Sequence, residues 1–341
     1  MRSRFSYILL GAALAVLALG VTGPAVLEEP AALPVTPYGA VVTLAALAGI
    51  VLMDLAGKRY SRVLPGGACT DAVFLFSGFA GARLLYCLFR LSYYKEIGFL
   101  HVLMTREGGF LLYGALLGIA AAAWFMTRRE RLRIQAEGGE DGPAAALRRV
   151  QGGGFAEAMD ELTLPGLCVI ALCRLAEGFA GEGLGDWVEE GFFCRLPFAA
   201  PNAYGEYQWA LFIPEAVAAL CILFACRNVP AGKGTRAKHA LLLYAACQIV
   251  FESLRMDSVL KIGFVRVSQV LSAVMILLIL LSNMKEKGNG LRWAPVLLFG
   301  CLVAAVGGIE WALDKTALPN GVLYALMAAA CAGMAAVAQR G

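Results

Sequence analysis

The chain has 341 residues, of which 60% are hydrophobic and 16% charged, with a formal net charge of +4 and a mean hydropathy of +0.70. A soluble domain carries about a quarter charged residues, so a water-soluble globule is excluded. Apolar runs of the ~20 residues that cross a bilayer recur along the chain, which predicts an all-α polytopic protein embedded in the lipid bilayer.

Ten spans are predicted, at 6–22, 38–56, 71–92, 110–126, 155–178, 206–226, 240–254, 267–282, 293–309 and 320–337. The first follows "MRSRF" and has the charged start of a secretory signal. Its apolar core of about seventeen residues exceeds the ~7–15 of a signal, which favours a retained signal-anchor. The hydrophilic insert at 128–154, with "EGGEDGP" inside it, reads as a mobile inner-face linker. No internal repeat is visible. With the N-terminus inside, 19 of the 29 Lys and Arg residues fall on inner segments, 9 on outer ones, and Arg83 lies within a span. That bias places both termini on the cytoplasmic side of a plasma membrane. It also explains the basic residues by orientation, so no nucleic-acid partner is implied.

The ten cysteines and two histidines form no CxxC or Cys/His ligand spacing, so no metal site is expected. Eight cysteines lie in apolar runs, where Cys acts as a small hydrophobe. Cys69 and Cys194 fall on opposite sides of the predicted membrane and cannot pair.

Charged residues gather at the predicted outer ends of several spans. The fifth ends with Arg174, Glu177 and Glu182. The seventh ends with Tyr244, Gln248, Glu252 and Arg255, whose spacing of four, four and three puts them on one helical face. The fourth opens with Arg106, Glu107, Gly108 and Gly109, then Tyr113, and the third holds Arg83. One such arginine is explained by snorkelling or by an ion pair with Glu182 or Glu252. Several on neighbouring spans suit a cavity instead, because intramembrane charge is costly and turns inward. Guanidinium grips a phosphodiester with two parallel donors, so an anionic phospholipid is the expected ligand. Glu310, Trp311, Asp314 and Lys315 are expected in a short outer loop as an interfacial anchor.

At these residues the sequence resembles the prolipoprotein diacylglyceryl transferase family. "GARLLYCLF" (81–89) is similar to an Ala-Arg-Leu-Gly-Tyr segment, and "GGFLLYGALLG" (108–118) to Gly-Gly-x-x-x-His-Gly-Gly-x-x-Gly. "DELTLPGLCVIALCRLAEGFAGEGLG" (160–185) resembles the signature Gly-Arg-x-Gly-Asn-Phe-x-Asn-x-Glu, which puts the family arginine at Arg174 and its glutamate at Glu182. "YAACQIVFESLR" (244–255) resembles the segment ending in a second functional arginine, here Arg255, with Tyr244 and Glu252 matching. "SQVLS" (268–272) and the Tyr38–Gly39 pair agree as well. The resemblance divides the chain into an N-terminal signal-anchor span and outer loop (1–37), a seven-helix transferase-like core (38–283) and two additional C-terminal spans (284–341).

The departures are as specific. Tyr113 stands at the family histidine, Glu177 and Ala180 at two asparagines, and "WALFIPE" (209–215) keeps only Glu215 of the sixth-span motif. The resemblance implies transfer of diacylglycerol from phosphatidylglycerol to the lipobox cysteine of a prolipoprotein at the outer leaflet, with release of glycerol phosphate and no cofactor. Arg174 and Arg255 would hold the phosphate, with Tyr244, Glu252, Arg83 and Tyr38 completing the lipid site, and Glu182 and Glu252 would orient the arginines. The base that takes the thiol proton is Tyr113, Glu177 or, in the outer loop, His101. The second reading is a catalytically altered paralogue that binds phospholipid or lipoprotein precursors. A small transporter is the third, although the repeat symmetry of that class is missing.

Overall fold

The structure is a computed structural model; it describes residues 2–19, 36–59, 64, 67–105, 108–136, 143–189, 191–195, 197–202, 204–258, 260–287, 293–316 and 318–340. Arg106 and Glu107, two of the expected cluster residues, lie outside the described residues, as do 20–22 of the first predicted span.

The chain is helical throughout its apolar runs, as expected: α1 (Arg2–Leu19), α2 (Pro37–Arg59), α3 (Ala68–Phe89), α4 (Leu91–Ile97), α5 (Leu112–Ala136), α6 (Pro143–Ala180), α7 (Phe212–Arg227), α8 (Thr235–Leu254), α9 (Val267–Glu286), α10 (Trp293–Lys315) and α11 (Asn320–Arg340). Among the described residues, six helices are long and apolar enough to cross a membrane, over Pro37–Leu55, Ala68–Phe89, Gly154–Ala180, Val267–Glu286, Trp293–Lys315 and Asn320–Arg340. Four predicted spans, the first, fourth, sixth and seventh, fall outside that set. α7 has only 16 residues, and α8 opens with Arg236 and Lys238 and carries Glu252 near its end. The exposed Leu44, Leu84, Leu88, Val274, Leu278 and Leu297 suit a lipid solvent.

Two compact units divide the chain: 1–180 with 225–237, and 181–224 with 238–341. In the first, α3 meets α5 and α2 meets α6 over long interfaces. Glycine makes the α3–α5 approach possible. A Cβ on Gly81 would overlap the Gly114 carbonyl oxygen, and one on Gly118 would overlap that of Ser77. Small residues at four-residue spacing let two helix backbones touch where apolar lipid supplies no hydrophobic drive. Pro165 sits inside α6 without ending it. The segment expected as a linker is largely helical: α5 runs to Ala136, and α6 starts at Pro143. Pro suits the first helical position, and the following "AAALRRVQ" is rich in strong helix formers. Asp160, fully buried on α6, accepts the Gly232, Gly234 and Ala237 N–H groups at 2.7, 3.1 and 2.8 Å. It thereby satisfies donors that the start of α8 leaves without helical partners.

The second unit adds strands that the sequence pattern does not reveal. β1 (Leu184–Trp187), β2 (Ala199–Pro201) and β3 (Tyr207–Ala210) form an antiparallel sheet in the order β1-β3-β2, and β4 (Lys261–Ile262) pairs with β5 (Val265–Arg266). Strands of two to four residues are too short to show a period of two. The core of this unit gathers Leu242, Ile249, Ile276, Leu280, Met327 and Met334. All ten cysteines are free thiols.

Candidate functional site

The expected site residues fall into two groups, one in each unit. In the first unit Arg83, buried in the last two turns of α3, directs its whole guanidinium at a turn of backbone. Nε donates to the Val102 carbonyl at 2.9 Å. One terminal nitrogen donates to the carbonyls of Gly108 and Gly109, the other to those of His101 and Met104 at 2.9 and 3.0 Å. Five carbonyl contacts saturate the five N–H groups of a guanidinium. Arg83 therefore fastens the backbone of residues 101–104 and 108–109, and to bind phosphate as expected it would have to release that backbone. Gly109 is required beneath it: φ is +79°, and a Cβ there would strike the Tyr86 ring.

Tyr113, at the family histidine position, lies buried in the first turn of α5. Tyr38 is half-buried in the first turn of α2, whose start is held by Thr36: its hydroxyl accepts the Gly39 N–H at 3.0 Å. Arg174 is buried near the end of α6 and forms an ion pair with Glu177, one turn further along. The three-residue spacing makes that pairing local and helix-borne. Glu177, a candidate base, thus sits directly on the first family arginine. His101, the third candidate, is half-buried with Nδ1 3.3 Å from the Gly98 carbonyl oxygen.

In the second unit the helical face read from spacing is present. Tyr244, Gln248 and Glu252 are buried along α8, and the Gln248 side-chain amide donates to Glu252 at 3.1 Å. Ser258 closes on the other Glu252 oxygen at 2.6 Å. Arg255 follows the last helical residue and keeps an N–H bond to the Phe251 carbonyl at 3.1 Å. Its guanidinium is held by two carboxylates. Asp257 receives Nε and a terminal nitrogen, each at 3.0 Å, and Glu215 receives the other terminal nitrogen at 3.4 Å. The parallel pair on Asp257 is the two-pronged geometry that fixes an arginine plane.

Asp257 has a second function. Its Oδ2 accepts the Gly183 N–H at 2.7 Å, which ties the segment carrying the exposed Glu182 to the seat of Arg255. The Met256 N–H on the Leu184 carbonyl (3.0 Å) makes a second tie. Burial alone would push the Asp257 carboxyl up. The hydrogen bonds and charge of Arg255, with the Gly183 N–H, outweigh burial and hold it below the usual value.

A further layer comes from α10. Glu310 is not in a loop as expected; it lies inside the helix, buried, while its neighbour Trp311 is exposed. It accepts from Ser253 at 2.6 Å, from Arg266 at 2.9 Å and from the Gln269 amide at 3.1 Å. The other terminal nitrogen of Arg266 donates to the Arg255 carbonyl at 2.6 Å. A carboxylate with three donors is stable at that depth, so Glu310 supports the backbone of Arg255 rather than anchoring an interface.

Sequence reasoning missed Asp257, Arg266 and Glu310. An acid two residues beyond a functional arginine was the available signal for the first. The other two lie far along the chain from what they hold. Among the described residues, no group of three or more His, Cys, Asp or Glu side chains could hold a metal ion.

Residues 24–138 match the family described as prolipoprotein diacylglyceryl transferase. That stretch includes Tyr38, Arg83 and Tyr113 and stops short of Arg174 and Arg255. The chain is similar to the phosphatidylglycerol–prolipoprotein diacylglyceryl transferase of Clostridium novyi (strain NT), 28% identical over 218 residues, covering 61% of this chain and 76% of that one. The Thermotoga petrophila protein of the same name is 27% identical over 229 residues, 60% of this chain, and the chain spans only 64% of that relative's length. That of Synechococcus elongatus is 28% identical over 276 residues, 76% of this chain and 86% of that one.

Proposed function

From its similarity to the prolipoprotein diacylglyceryl transferase family over residues 24–138 and to named transferases at 28% identity, we propose that the chain belongs to that family and moves a diacylglyceryl group from phosphatidylglycerol to the lipobox cysteine of a prolipoprotein at the outer leaflet of the plasma membrane. The step alkylates sulfur. The cysteine thiol, with pKa ~8.5, loses its proton to a base; the thiolate forms a C–S bond as the C–O bond to phosphate breaks, and glycerol phosphate leaves. Stabilising the phosphate as it departs is where oriented cations contribute most.

In this reading Arg174 and Arg255 are each suited to grip a phosphate ester. The observation that carries it is the seat of Arg255, a buried guanidinium held in one plane by Asp257 and steadied by Glu215. Glu177 holds one terminal nitrogen of Arg174. Tyr38 in the first unit and Glu182, Tyr244 and Glu252 in the second are the further lipid-site residues that the resemblance names, and Arg83 fixes the backbone of residues 101–104 and 108–109. Tyr113 takes the thiol proton from the family histidine's position. Glu177 is the alternative base, one turn from Arg174 and of a residue type suited to general-base work once desolvated.

The test is complementation of a conditional strain depleted of its own transferase, paired with lipidation of a labelled prolipoprotein in membranes. Growth and labelled product support the proposal. If the protein lipidates nothing with any of several phospholipids, the second reading takes its place: a paralogue that has lost the base, as Tyr113 at the histidine position suggests, and binds lipid or precursor only.

A further inference from the structure

Beyond these residues, the first unit contains a polar cavity of about 110 Å³ at the junction of α3, α4 and the 101–109 segment. Its walls are two arginines, Arg83 and Arg90, three tyrosines, Tyr86, Tyr93 and Tyr94, and the backbone of Gly108 and Gly109. None of these is acidic. Among the described residues neither arginine is paired with a carboxylate. Arg83 is immobilised by carbonyls, which leave its charge uncancelled. Arg90 is steadied on one side only: a terminal nitrogen donates to the Tyr86 hydroxyl at 3.1 Å, and the guanidinium lies 4.4 Å from the Tyr93 ring centre. Stacking of this kind aligns the plane while leaving the fork edge able to bind.

The electrostatics of the walls are one-signed. The hydrogen bond that Arg90 donates to the Tyr86 hydroxyl raises its pKa above the ordinary value, so Arg90 stays charged. Burial pushes the Tyr94 phenol up to about 12, so it remains neutral. Among the described residues the walls therefore offer two positive charges and no negative one. A cation is repelled, and a neutral ligand leaves two guanidinium charges unanswered. At about 30 Å³ per water the space equals that of three or four waters, the scale of a phosphate group with a short polar tail.

We propose that this cavity is a second polar subsite that takes the phosphate of a small phosphate ester, gripped by Arg90 in the field of Arg83. The ester is either the glycerol phosphate released by transfer or the headgroup of a phospholipid. The assignment of those sources rests on the function proposed above; the anion site itself does not.

The experiment uses the full chain in phosphatidylcholine nanodiscs. One arm titrates glycerol 1-phosphate, with inorganic phosphate alongside, by calorimetry. The other counts phosphatidylglycerol retained in native mass spectra as its fraction in the disc is raised. Arg90→Gln should weaken binding in one arm at least tenfold, and Arg90→Lys, which keeps the charge but loses the fork, by less. Loss in the first arm assigns the site to the released ester, and loss in the second to the lipid headgroup. Tyr93→Phe keeps the stacking ring and should leave the fold and most of the affinity intact. The proposal is overturned if neither arm responds to Arg90→Gln, or if saturable binding vanishes with Arg174→Gln and survives Arg90→Gln. No turnover is needed, so an inactive protein would still show the binding.

Discussion

Arg83 and Arg255 look alike in the sequence, each an arginine toward the end of an apolar helix, yet the structure uses them in opposite ways. Arg83 donates to carbonyl oxygens, five of them, which saturate its donors. Arg255 meets two carboxylates, which fix its plane and offset its charge. The first arrangement is a fastener for a loop. The second fixes the plane of a guanidinium between carboxylates. Burial and residue type are shared, so the partner oxygens decide which role each arginine has.

The comparison breaks most sharply under charge-conserving substitution. Arg255→Lys and Arg174→Lys should each lower lipidation by about 100-fold or more, because an ammonium cannot reproduce the two-pronged plane. Near-normal labelling of prolipoprotein by either variant would make that arginine structural. Arg83→Lys should behave in the converse manner. Losing several buried contacts to a charged donor should cost roughly 3 kcal/mol or more of stability, read as a lower unfolding midpoint and protease cleavage within 101–109. A stable Arg83→Lys protein with abolished phospholipid binding would return Arg83 to the lipid site.

Tyr113→Phe keeps the ring and removes only the hydroxyl. If Tyr113 is the base, the rate should drop at least tenfold, since general-base catalysis contributes ~10²–10⁴-fold. Glu177→Gln is the parallel measurement. Full activity in both, with loss on His101→Ala, would move proton abstraction to the 101–109 segment.

Glu310→Gln keeps shape but weakens three hydrogen bonds to one made with a neutral acceptor. Stability should fall by about 1–3 kcal/mol, and kcat should fall several-fold with KM little changed, because the backbone of Arg255 loses support. Partial recovery in Glu310→Asp would separate charge from packing. A Glu310→Gln enzyme with unaltered kcat would show that α10 props the fold and leaves the site alone.

The smallest effect is on pH. The folded Asp257 pKa lies below its unfolded value of ~3.9. Its contribution to stability is thus fully present above that pH and is lost as pH falls through the lower, folded value. Asp257→Asn should flatten this part of the acid-side decline below pH ~4, measured as unfolding midpoints in detergent. An unchanged acid profile would mean that Arg255 does not depend on the Asp257 charge.

The helices were legible because apolar length and period are local properties. So was the Tyr244–Gln248–Glu252 face, since residues four apart meet on any helix, and the Gln248–Glu252 bond follows from that spacing. Arg174–Glu177 belongs to the same class. The helix over 143–153 was readable in principle, but "EGGEDGP" drew the whole insert toward a loop. The strands were not readable, being too short to carry a pattern.

By itself the sequence determined the apolar helices, the residues sharing each helical face and the motifs that mark the family, all of which depend on neighbours within a few positions. Tertiary structure alone decided that Asp257 would reach Gly183, that Glu310 would support Arg255 through Arg266, and that Arg83 would close on a loop eighteen to twenty-six residues away. Those contacts exist because buried charge must find partners wherever the chain can supply them. Which distant carbonyl or carboxylate arrives is fixed by how the helices pack.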